Sequence, residues 1–260
     1  MKISDYTRQL RPDPLSYVVL EYKGSNYRTQ LINLLAVVRL NRTFVGSLRD
    51  DFLVEGSASH IPPGFYVEGV SVVDPSLISS EPNHPGITRI VSGAGSGSGA
   101  RIGIPAGSVS LRIYGGDVFE IIWRQLSVSG IGVRFGFMDT SAISTPPTNS
   151  VFVNILNDTL SATTYHGGSQ STTPTSYVLS STVWYRALIQ VSEDRSLVTF
   201  SLYSDDGALL WRDTLDSNIP DPQDLNGQSP TAMFLSTSPG IQNLADVDYM
   251  AYSSSKVLVR

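Results

Sequence analysis

The chain is 260 residues long, with 41% hydrophobic and 16% charged residues, 22 Gly, 15 Pro and no Cys. Its 23 acidic residues outnumber its 18 basic residues, so the formal net charge is −5 and a broad basic surface for nucleic acid is not expected. The absence of cysteine excludes disulfides, thiolate metal sites and thiol nucleophiles. We therefore expect the fold to be stabilised by buried apolar area.

Neither a signal peptide nor a membrane span is predicted. Residues 1–8 lack the apolar core of a signal peptide. The longest apolar stretch, residues 31–38, is interrupted by Asn33 and is far shorter than the roughly 18 residues that a transmembrane helix needs. We expect no membrane insertion and no visible export signal.

A hairpin is predicted near the start of the chain. Residues 17–22 have the alternation of a strand, residues 23–26 suit a turn, and residues 27–31 suit the returning strand. Residues 32–40 suit either a short helix or a third strand. Because an isolated two-stranded hairpin is marginal in water, we expect this segment to need a partner surface on its own body, a sister subunit or a larger assembly.

From about residue 50, short apolar-alternating runs separated by Gly, Pro, Asn, Asp or Ser indicate an all-β sandwich or barrel. Residues 93–99, rich in Gly and Ser, are predicted to be a mobile loop inside the domain, and residues 163–175 a second exposed loop. Strands are predicted near residues 65–73, 87–91, 108–114, 117–126, 130–138, 150–156, 176–191, 196–204, 208–214, 231–237 and 246–259.

The histidines and the glycine-rich stretch carry no recognisable catalytic motif. The glycines of residues 93–99 have the spacing of neither a dinucleotide fingerprint nor a Walker loop. His60, His84 and His166 are scattered and form no spaced pair of zinc ligands. We interpret these histidines as loop residues.

The acidic residues do not form a compact catalytic pattern either. The Glu-x-Asp-x-x-Glu motif of β-sandwich glucanases is absent, because Asp194 and Arg195 follow Glu193. Glu68 and Glu120 could still converge from separate strands as paired acids of a polysaccharide hydrolase or lyase. We predict that the chain is not an enzyme and retain this pair as the alternative.

Calcium is the one cofactor that the sequence leaves open. Residues 216–227 offer several oxygen ligands of the kind that calcium prefers, but Pro220 breaks the EF-hand pattern. We therefore predict no cofactor and no metal ligand, with calcium binding at this loop as the alternative.

Aromatic residues supply the only candidate ligand contacts. Trp123, Trp184 and Trp211 have apolar neighbours and are predicted to lie in the core. Tyr165 and His166 lie in the predicted exposed loop, where core packing does not explain a ring. These two residues are the predicted ligand-binding residues.

A succession of three strands near the C-terminus carries a family resemblance. Residues 183–191, 197–203 and 209–215 predict an antiparallel meander whose second turn is Asp205-Asp206-Gly207. Together with residues 246–252, the meander resembles the central and closing strands of concanavalin A-like, laminin-G-like jelly-roll domains. The resemblance implies an all-β fold in which an antiparallel β-sandwich, residues 49–260, follows a small N-terminal hairpin segment, residues 1–48.

The N-terminal segment carries a second resemblance. Its strand at residues 17–21, its Gly-containing turn and the apolar run at residues 31–35 resemble a leader at the start of bacteriophage tail-fibre and other virion appendage proteins. The resemblance implies a homotrimer that contacts other virion proteins and is located in the virion after assembly in the host cytoplasm. It also implies anchoring to the particle through Tyr17, Val19, Tyr22, Tyr27, Leu31 and Leu34.

The two resemblances together predict a phage virion structural protein. The chain would be a fibre or adhesin-like appendage that displays a lectin-like jelly roll for attachment to a host-surface glycan. A capsid decoration or cement protein is the first alternative, because the sandwich could instead clamp neighbouring capsid subunits. A stand-alone carbohydrate-binding module and a polysaccharide hydrolase are the remaining alternatives.

Overall fold

The computed structural model describes the chain in two compact units, Met1–Phe44 with Leu258–Arg260, and Val45–Val257. Within these units the described residues are 17–22, 25–30, 47–50, 66–69, 81, 83–84, 87–103, 112–139, 147–222 and 228–253.

All regular elements in these ranges are β-strands, as the composition predicts, and no described helix is long and apolar enough to cross a membrane. The strands are β1 (Tyr17–Tyr22), β2 (Ser25–Gln30), β3 (Ser47–Asp50), β4 (Tyr66–Gly69), β5 (Thr88–Val91), β6 (Gly99–Gly103), β7 (Val118–Gln125), β8 (Ile131–Met138), β9 (Ser150–Leu156), β10 (Thr159–His166), β11 (Ser169–Thr172), β12 (Tyr177–Val178), β13 (Trp184–Val191), β14 (Val198–Ser204), β15 (Leu209–Leu215), β16 (Ser229–Ser236) and β17 (Leu244–Ser253).

The first unit contains the predicted hairpin. β1 and β2 pair antiparallel, with Tyr17 opposite Gln30 and Tyr22 opposite Ser25. The hairpin prediction is confirmed, whereas the anchoring role of its residues stays a prediction. Leu31, Leu34 and the segment 32–40 lie outside the described residues.

The second unit contains two antiparallel sheets, which confirms the predicted all-β jelly-roll class. The eight-stranded sheet has the order β11-β10-β9-β8-β16-β6-β4, with β12 added beside β10. The seven-stranded sheet has the order β15-β14-β13-β7-β17-β3, with β5 added beside β17. Strands that are far apart in sequence, such as β7 and β17, are neighbours in the same sheet.

The core lies between the two sheets and follows from side-chain alternation. In β7, Phe119, Ile121 and Trp123 are fully buried, while the intervening residues face outward and are half-buried. Trp123 packs against Phe135 of the opposite sheet, with ring centroids 4.8 Å apart. Burial of an aromatic side chain of this size contributes roughly 3 kcal/mol, so these layers supply the main stabilisation.

Two segments that the sequence predicts as loops contain strands. β10 and β11 occupy most of the predicted exposed loop 163–175, and Thr163 and Thr164 are buried in β10. The loop prediction fails because the hydroxyl of Thr164 donates a hydrogen bond to the carbonyl of Ser217 at 2.7 Å, which makes a polar strand acceptable inside the fold. Gly99 likewise belongs to β6, whose five residues are all buried, and not to a mobile loop.

The predicted strands at 108–114 and 176–191 also differ from the structure. Residues 112–114 form no strand, and residues 108–111 lie outside the described residues. The stretch 176–191 is divided into β12 and β13, and Thr182 between them has a positive φ of 63° that a continuous strand does not tolerate.

Candidate functional site

The outward face of the seven-stranded sheet carries a row of polar and aromatic side chains. It lies opposite the core because buried and outward residues alternate along β7, β13 and β14. Strand register places Arg186 opposite Tyr203, and Ser201 opposite Arg212. We call the row formed by these four residues and Glu120 of β7 the polar strip.

Two arginines organise the polar strip around Tyr203. Arg186 Nε donates to Glu120 Oε1 at 2.6 Å, and its guanidinium carbon is 5.5 Å from the centre of the Tyr203 ring. Arg212 Nε donates to Ser201 Oγ at 3.1 Å, and its Nη2 donates to the Tyr203 hydroxyl at 3.3 Å. Each side chain of the strip is therefore held by at least one other.

The strip remains accessible to a ligand. The side chain of Arg186 is 43% exposed, that of Glu120 is 21% exposed, Arg212 is exposed and Tyr203 is half-buried. Guanidinium and carboxylate groups with fixed orientation can donate and accept hydrogen bonds in one plane, and the tyrosine adds an apolar ring face. This combination can bind a polar ring compound that has both hydroxyl groups and an apolar face.

A cluster of charged and aromatic residues lies beside the polar strip, where β13 begins. We call Glu81, His84, Arg124 and Trp184 the Trp184 cluster. The His84 ring stacks on Trp184 with a centroid distance of 4.0 Å, and the Arg124 guanidinium carbon is 4.7 Å from the Trp184 ring centre. Trp184 Nε1 donates to Glu81 Oε2 at 3.0 Å.

Trp184 is buried by this cluster and not by the core between the sheets. The core prediction is confirmed for Trp123 and Trp211, which belong to the main hydrophobic cluster. Trp184 is buried, as predicted, but it lies outside the core between the sheets, because the alternation of β13 turns its side chain outward. With His84 and Arg124 packed on it and only 6% exposure, Trp184 offers no open ring to a ligand.

Ion pairs with the buried Asp246 extend the Trp184 cluster onto β17. Arg124 Nη1 lies 2.7 Å from Glu81 Oε1, and both Arg124 and Arg89 bind Asp246, whose side chain is fully buried. The hydrogen bond from Trp184, followed by those from Arg124, holds the pKa of Glu81 below its usual value. The Asp246 carboxylate raises the pKa of Arg89.

His84 joins the cluster to two further carboxylates. Its Nδ1 is 3.0 Å from Asp248 Oδ2. Its Nε2 lies 3.1 Å from Asp205 Oδ1, without the geometry of a hydrogen bond. His84 is 4% exposed, and the turn in which it lies is therefore fixed against the sheet.

The predicted ligand residues Tyr165 and His166 lie elsewhere. They end β10, opposite Gln170 and Ser169 of β11, in the eight-stranded sheet. Both are half-buried at the end of a strand and not in an open loop. The structure does not bring them to the polar strip, and their role in ligand binding stays a prediction.

The alternative pair of catalytic acids is not assembled. Glu68 lies in β4 of the eight-stranded sheet, whereas Glu120 lies in β7 of the seven-stranded sheet. Glu120 points away from the layer between the sheets and pairs with Arg186. The strand order therefore places the two glutamates in different sheets.

The candidate calcium loop is described only up to residue 222. Among the described residues, no group of three or more His, Asp or Glu side chains is placed to hold a metal ion.

Sequence reasoning missed the polar strip. The indication was present in the alternation, since Glu120 and Arg186 each lie between two buried apolar residues of their strands, and Tyr203 directly follows the buried Leu202. The sequence does not show which strands are neighbours, so the convergence of three outward residues was not visible.

Residues 83–238 match the sequence profile of a family described as "SO2946-like, C-terminal domain", which spans more than half of the chain. The chain belongs to the SO2946-like family. The crystal structure of SO2946 from Shewanella oneidensis MR-1, a protein of unknown function, is similar with a TM-score of 0.66 at 13% identity, covering 86% of this chain and 94% of that one. No curated protein sequence matches this member of the SO2946-like family.

Lectins share the fold of this SO2946-like chain. Peanut lectin in complex with a 9mer peptide is similar with a TM-score of 0.55 and 12% identity, covering 83% of this chain and 99% of the lectin. The carbohydrate recognition domain of Emp47p has a TM-score of 0.51 and 13% identity, covering 82% and 97%. At these identities the likeness shows the fold alone, a legume-lectin-like, concanavalin A-like jelly roll.

Proposed function

We propose that the sandwich is a non-catalytic glycan-binding domain whose ligand lies on the polar strip. The observation that carries this proposal is the strip itself, in which Arg186 and Arg212 flank Tyr203 on one outward sheet face. A sugar ring has an apolar face for an aromatic side chain and hydroxyl groups for charged planar side chains, and the strip offers both kinds of partner within three adjacent strands.

The strip combines charged planar groups with one aromatic ring, because its centre holds Glu120, Arg186 and Arg212 around one half-buried tyrosine. These groups can hydrogen-bond to sugar hydroxyls and pack against a sugar ring. The similarity of the fold to peanut lectin and to the Emp47p carbohydrate recognition domain supports a glycan as the ligand.

The proposal is tested by glycan binding with two tyrosine variants. Wild-type protein is screened on a glycan array with and without calcium, and the best ligand is titrated by calorimetry. We expect Tyr203→Ala to weaken binding about tenfold or more, because loss of an aromatic contact of about 1.4 kcal/mol already lowers affinity tenfold. Tyr165→Ala is the matched control in the other sheet and is expected to bind like wild type.

Each other outcome of this titration contradicts part of the proposal. Loss of binding in Tyr165→Ala alone would place the glycan at the β10–β11 hairpin and refute the polar strip as the site. An array without any bound glycan, with calcium or without, would refute glycan binding. Circular dichroism of each variant is compared with wild type to exclude loss of the fold.

We further propose that the chain displays this domain on a phage particle, with residues 1–48 as the attachment segment. The support is the resemblance of this segment to virion appendage leaders together with the β1–β2 hairpin. In this proposal the protein is a homotrimer located in the virion, and the glycan belongs to the host surface. A capsid decoration protein is the alternative within the same proposal.

Particle composition tests the virion proposal separately from glycan binding. Mass spectrometry of purified particles from the phage that encodes the chain should detect it, and deletion of residues 1–48 should prevent its incorporation. Light scattering should give the mass of a trimer. Electron microscopy with a labelled chain would then separate a tail position from a capsid position, and absence from particles would refute display altogether.

A further inference from the structure

We infer that the glycan bound at the polar strip is acidic, and that Arg212 binds the carboxylate of a uronic acid residue. This inference rests on the proposed glycan-binding function and specifies its ligand. It depends on one feature of the strip, which is that the two arginines beside Tyr203 differ in how their charge is compensated.

Arg186 already has a carboxylate partner. Its Nε lies 2.6 Å from Glu120 Oε1, and this pair is partly exposed. The pair is electrically neutral as a unit, and it can still offer its remaining N–H groups and carboxylate oxygen to sugar hydroxyls. Arg186 is therefore suited to a neutral part of the ligand.

Arg212 has only neutral partners. Its Nε and Nη2 donate to the hydroxyl groups of Ser201 and Tyr203. Among the described residues, no carboxylate forms an ion pair with Arg212 and nothing accepts a hydrogen bond from its Nη1. The two hydroxyl contacts hold the guanidinium plane in place while Nη1 remains available, which is the arrangement that pairs well with an incoming carboxylate.

The spacing of the strands suits a pyranose that carries a carboxylate. Arg212 on β15 lies opposite Ser201 of β14 and is therefore diagonal to Tyr203, with its Nη2 3.3 Å from the Tyr203 hydroxyl. A carboxylate that binds Arg212 therefore places the sugar ring to which it is attached over Tyr203. The next strand, β13, then presents Arg186 and its partner Glu120 to the hydroxyl groups of the same or the next sugar.

The negative net charge of the chain does not oppose this assignment. Interactions between exposed charges are screened beyond about 8 Å at physiological ionic strength, so charges elsewhere on the chain have little effect at the strip. Within the strip two guanidinium groups face one carboxylate, which leaves an excess of one positive charge.

Arg212 could instead protect the edge of the sheet. β15 is the terminal strand of the seven-stranded sheet, and charged residues on edge strands prevent strand pairing between molecules. Edge protection requires only a positive charge, whereas a carboxylate complex uses the planar fork of the guanidinium. Arg212→Lys keeps the charge and removes the fork, so this variant separates the two roles.

The test compares acidic ligands with their neutral esters. Trimers of galacturonate, mannuronate and glucuronate, and the methyl ester of each, are titrated by calorimetry into wild-type protein and into the Arg212→Lys and Tyr203→Ala variants. We expect wild type to bind at least one acidic trimer about tenfold or more tightly than its ester, because a charge-assisted pair is removed. Arg212→Lys should abolish that preference, and Tyr203→Ala should weaken both forms.

The outcomes distinguish failure of the inference from failure of the proposed function. Equal binding of acid and ester, or an unchanged preference in Arg212→Lys, overturns the uronate assignment. If a neutral glycan binds instead and Tyr203→Ala weakens it, the proposed function stands and the assignment of Arg212 is wrong. If neither the trimers nor any neutral glycan binds, both fail. A further variant, Arg212→Ala, tests the edge role: if it aggregates more than wild type while Arg212→Lys neither aggregates nor changes its ligand preference, Arg212 serves edge protection only.

Discussion

Replacement of Asp246 by asparagine tests whether the ion pairs beside the polar strip stabilise the sheet. The Asp246 carboxylate has no solvent exposure. It accepts hydrogen bonds from Arg89 at 2.8 and 3.1 Å and from Arg124 at 2.8 Å. The variant Asp246→Asn keeps the size of the side chain and one acceptor oxygen, but removes the negative charge between the two guanidinium groups.

The expected loss follows from the geometry. Removal of one partner of a fully buried ion pair typically costs about 3–5 kcal/mol, because the remaining charge stays buried without compensation. Here Arg124 keeps its contact with Glu81 and the Arg89 side chain is 32% exposed, so Glu81 and water offset part of the loss. We therefore expect Asp246→Asn to cost about 2 kcal/mol. Domains unfold with about 5–15 kcal/mol in total, so this loss is large enough to measure.

Urea denaturation followed by tryptophan fluorescence measures the loss, since Trp184 contacts Arg124 within the same cluster. The matched control is Asp206→Asn, a change of the same chemistry at the exposed β14–β15 turn, for which we expect a much smaller loss than for Asp246→Asn, because water screens the Asp206 carboxylate. A loss below about 1 kcal/mol for Asp246→Asn would show that the cost of burying the charges offsets their attraction and that these ion pairs do not stabilise the sheet.

Gly136→Ala should destabilise the protein by about 3 kcal/mol in the same denaturation assay, because φ at Gly136 is 145° and a Cβ there would collide with the carbonyl of Val151; unchanged stability would contradict this packing. Asp194 has its pKa lowered to about 2 by hydrogen bonds from Ser192 and Ser196. The Asp194 carboxylate therefore stabilises the fold at pH values above its ordinary pKa of 3.8, and this contribution is lost as the pH falls towards 2. An NMR titration of Ser196→Ala should show a higher pKa for Asp194 than in wild type. An equal pKa in the two proteins would show that the Ser196 hydrogen bond does not lower it. Incubation with polysaccharides should release no reducing sugar, and release that is lost in Glu120→Gln would show that the domain is an enzyme.

The strands with strict alternation could be predicted from the sequence. Phe119, Ile121 and Trp123 occupy every second position of β7, and the same period predicts β13 and β14. Each of these strands buries one face, so the alternation of apolar and polar residues is visible in the sequence of that strand alone. The sandwich class followed from them, together with the resemblance of the β13–β15 meander to jelly-roll domains.

The strands without alternation could not be predicted, because their polar residues are satisfied by distant partners. Thr164 in β10 donates to the carbonyl of Ser217, which lies 53 positions further along the chain. Gly103 in β6 is required by a close approach, since a Cβ there would lie 2.7 Å from the carbonyl oxygen of Pro230. A local pattern of hydroxyl groups or glycines cannot reveal such partners, so it is interpreted as a loop.

The polar strip was missed for a related reason. The pairing of Arg186 with Tyr203 follows from the β13–β14 hairpin and is local. The pairing of Arg186 with Glu120 joins residues 66 positions apart and depends on β7 being the other neighbour of β13. The binding surface becomes visible only when the order of the strands is known.

NMR mapping of the bound ligand shows directly whether a glycan binds across β13, β14 and β15. Backbone amide shifts of the ¹⁵N-labelled protein are followed during titration with the best glycan from the array. We expect the largest shift changes at Arg186, Tyr203 and Arg212. Changes confined to the β10–β11 hairpin at Tyr165 and His166, or no saturable change with any glycan, would contradict this expectation.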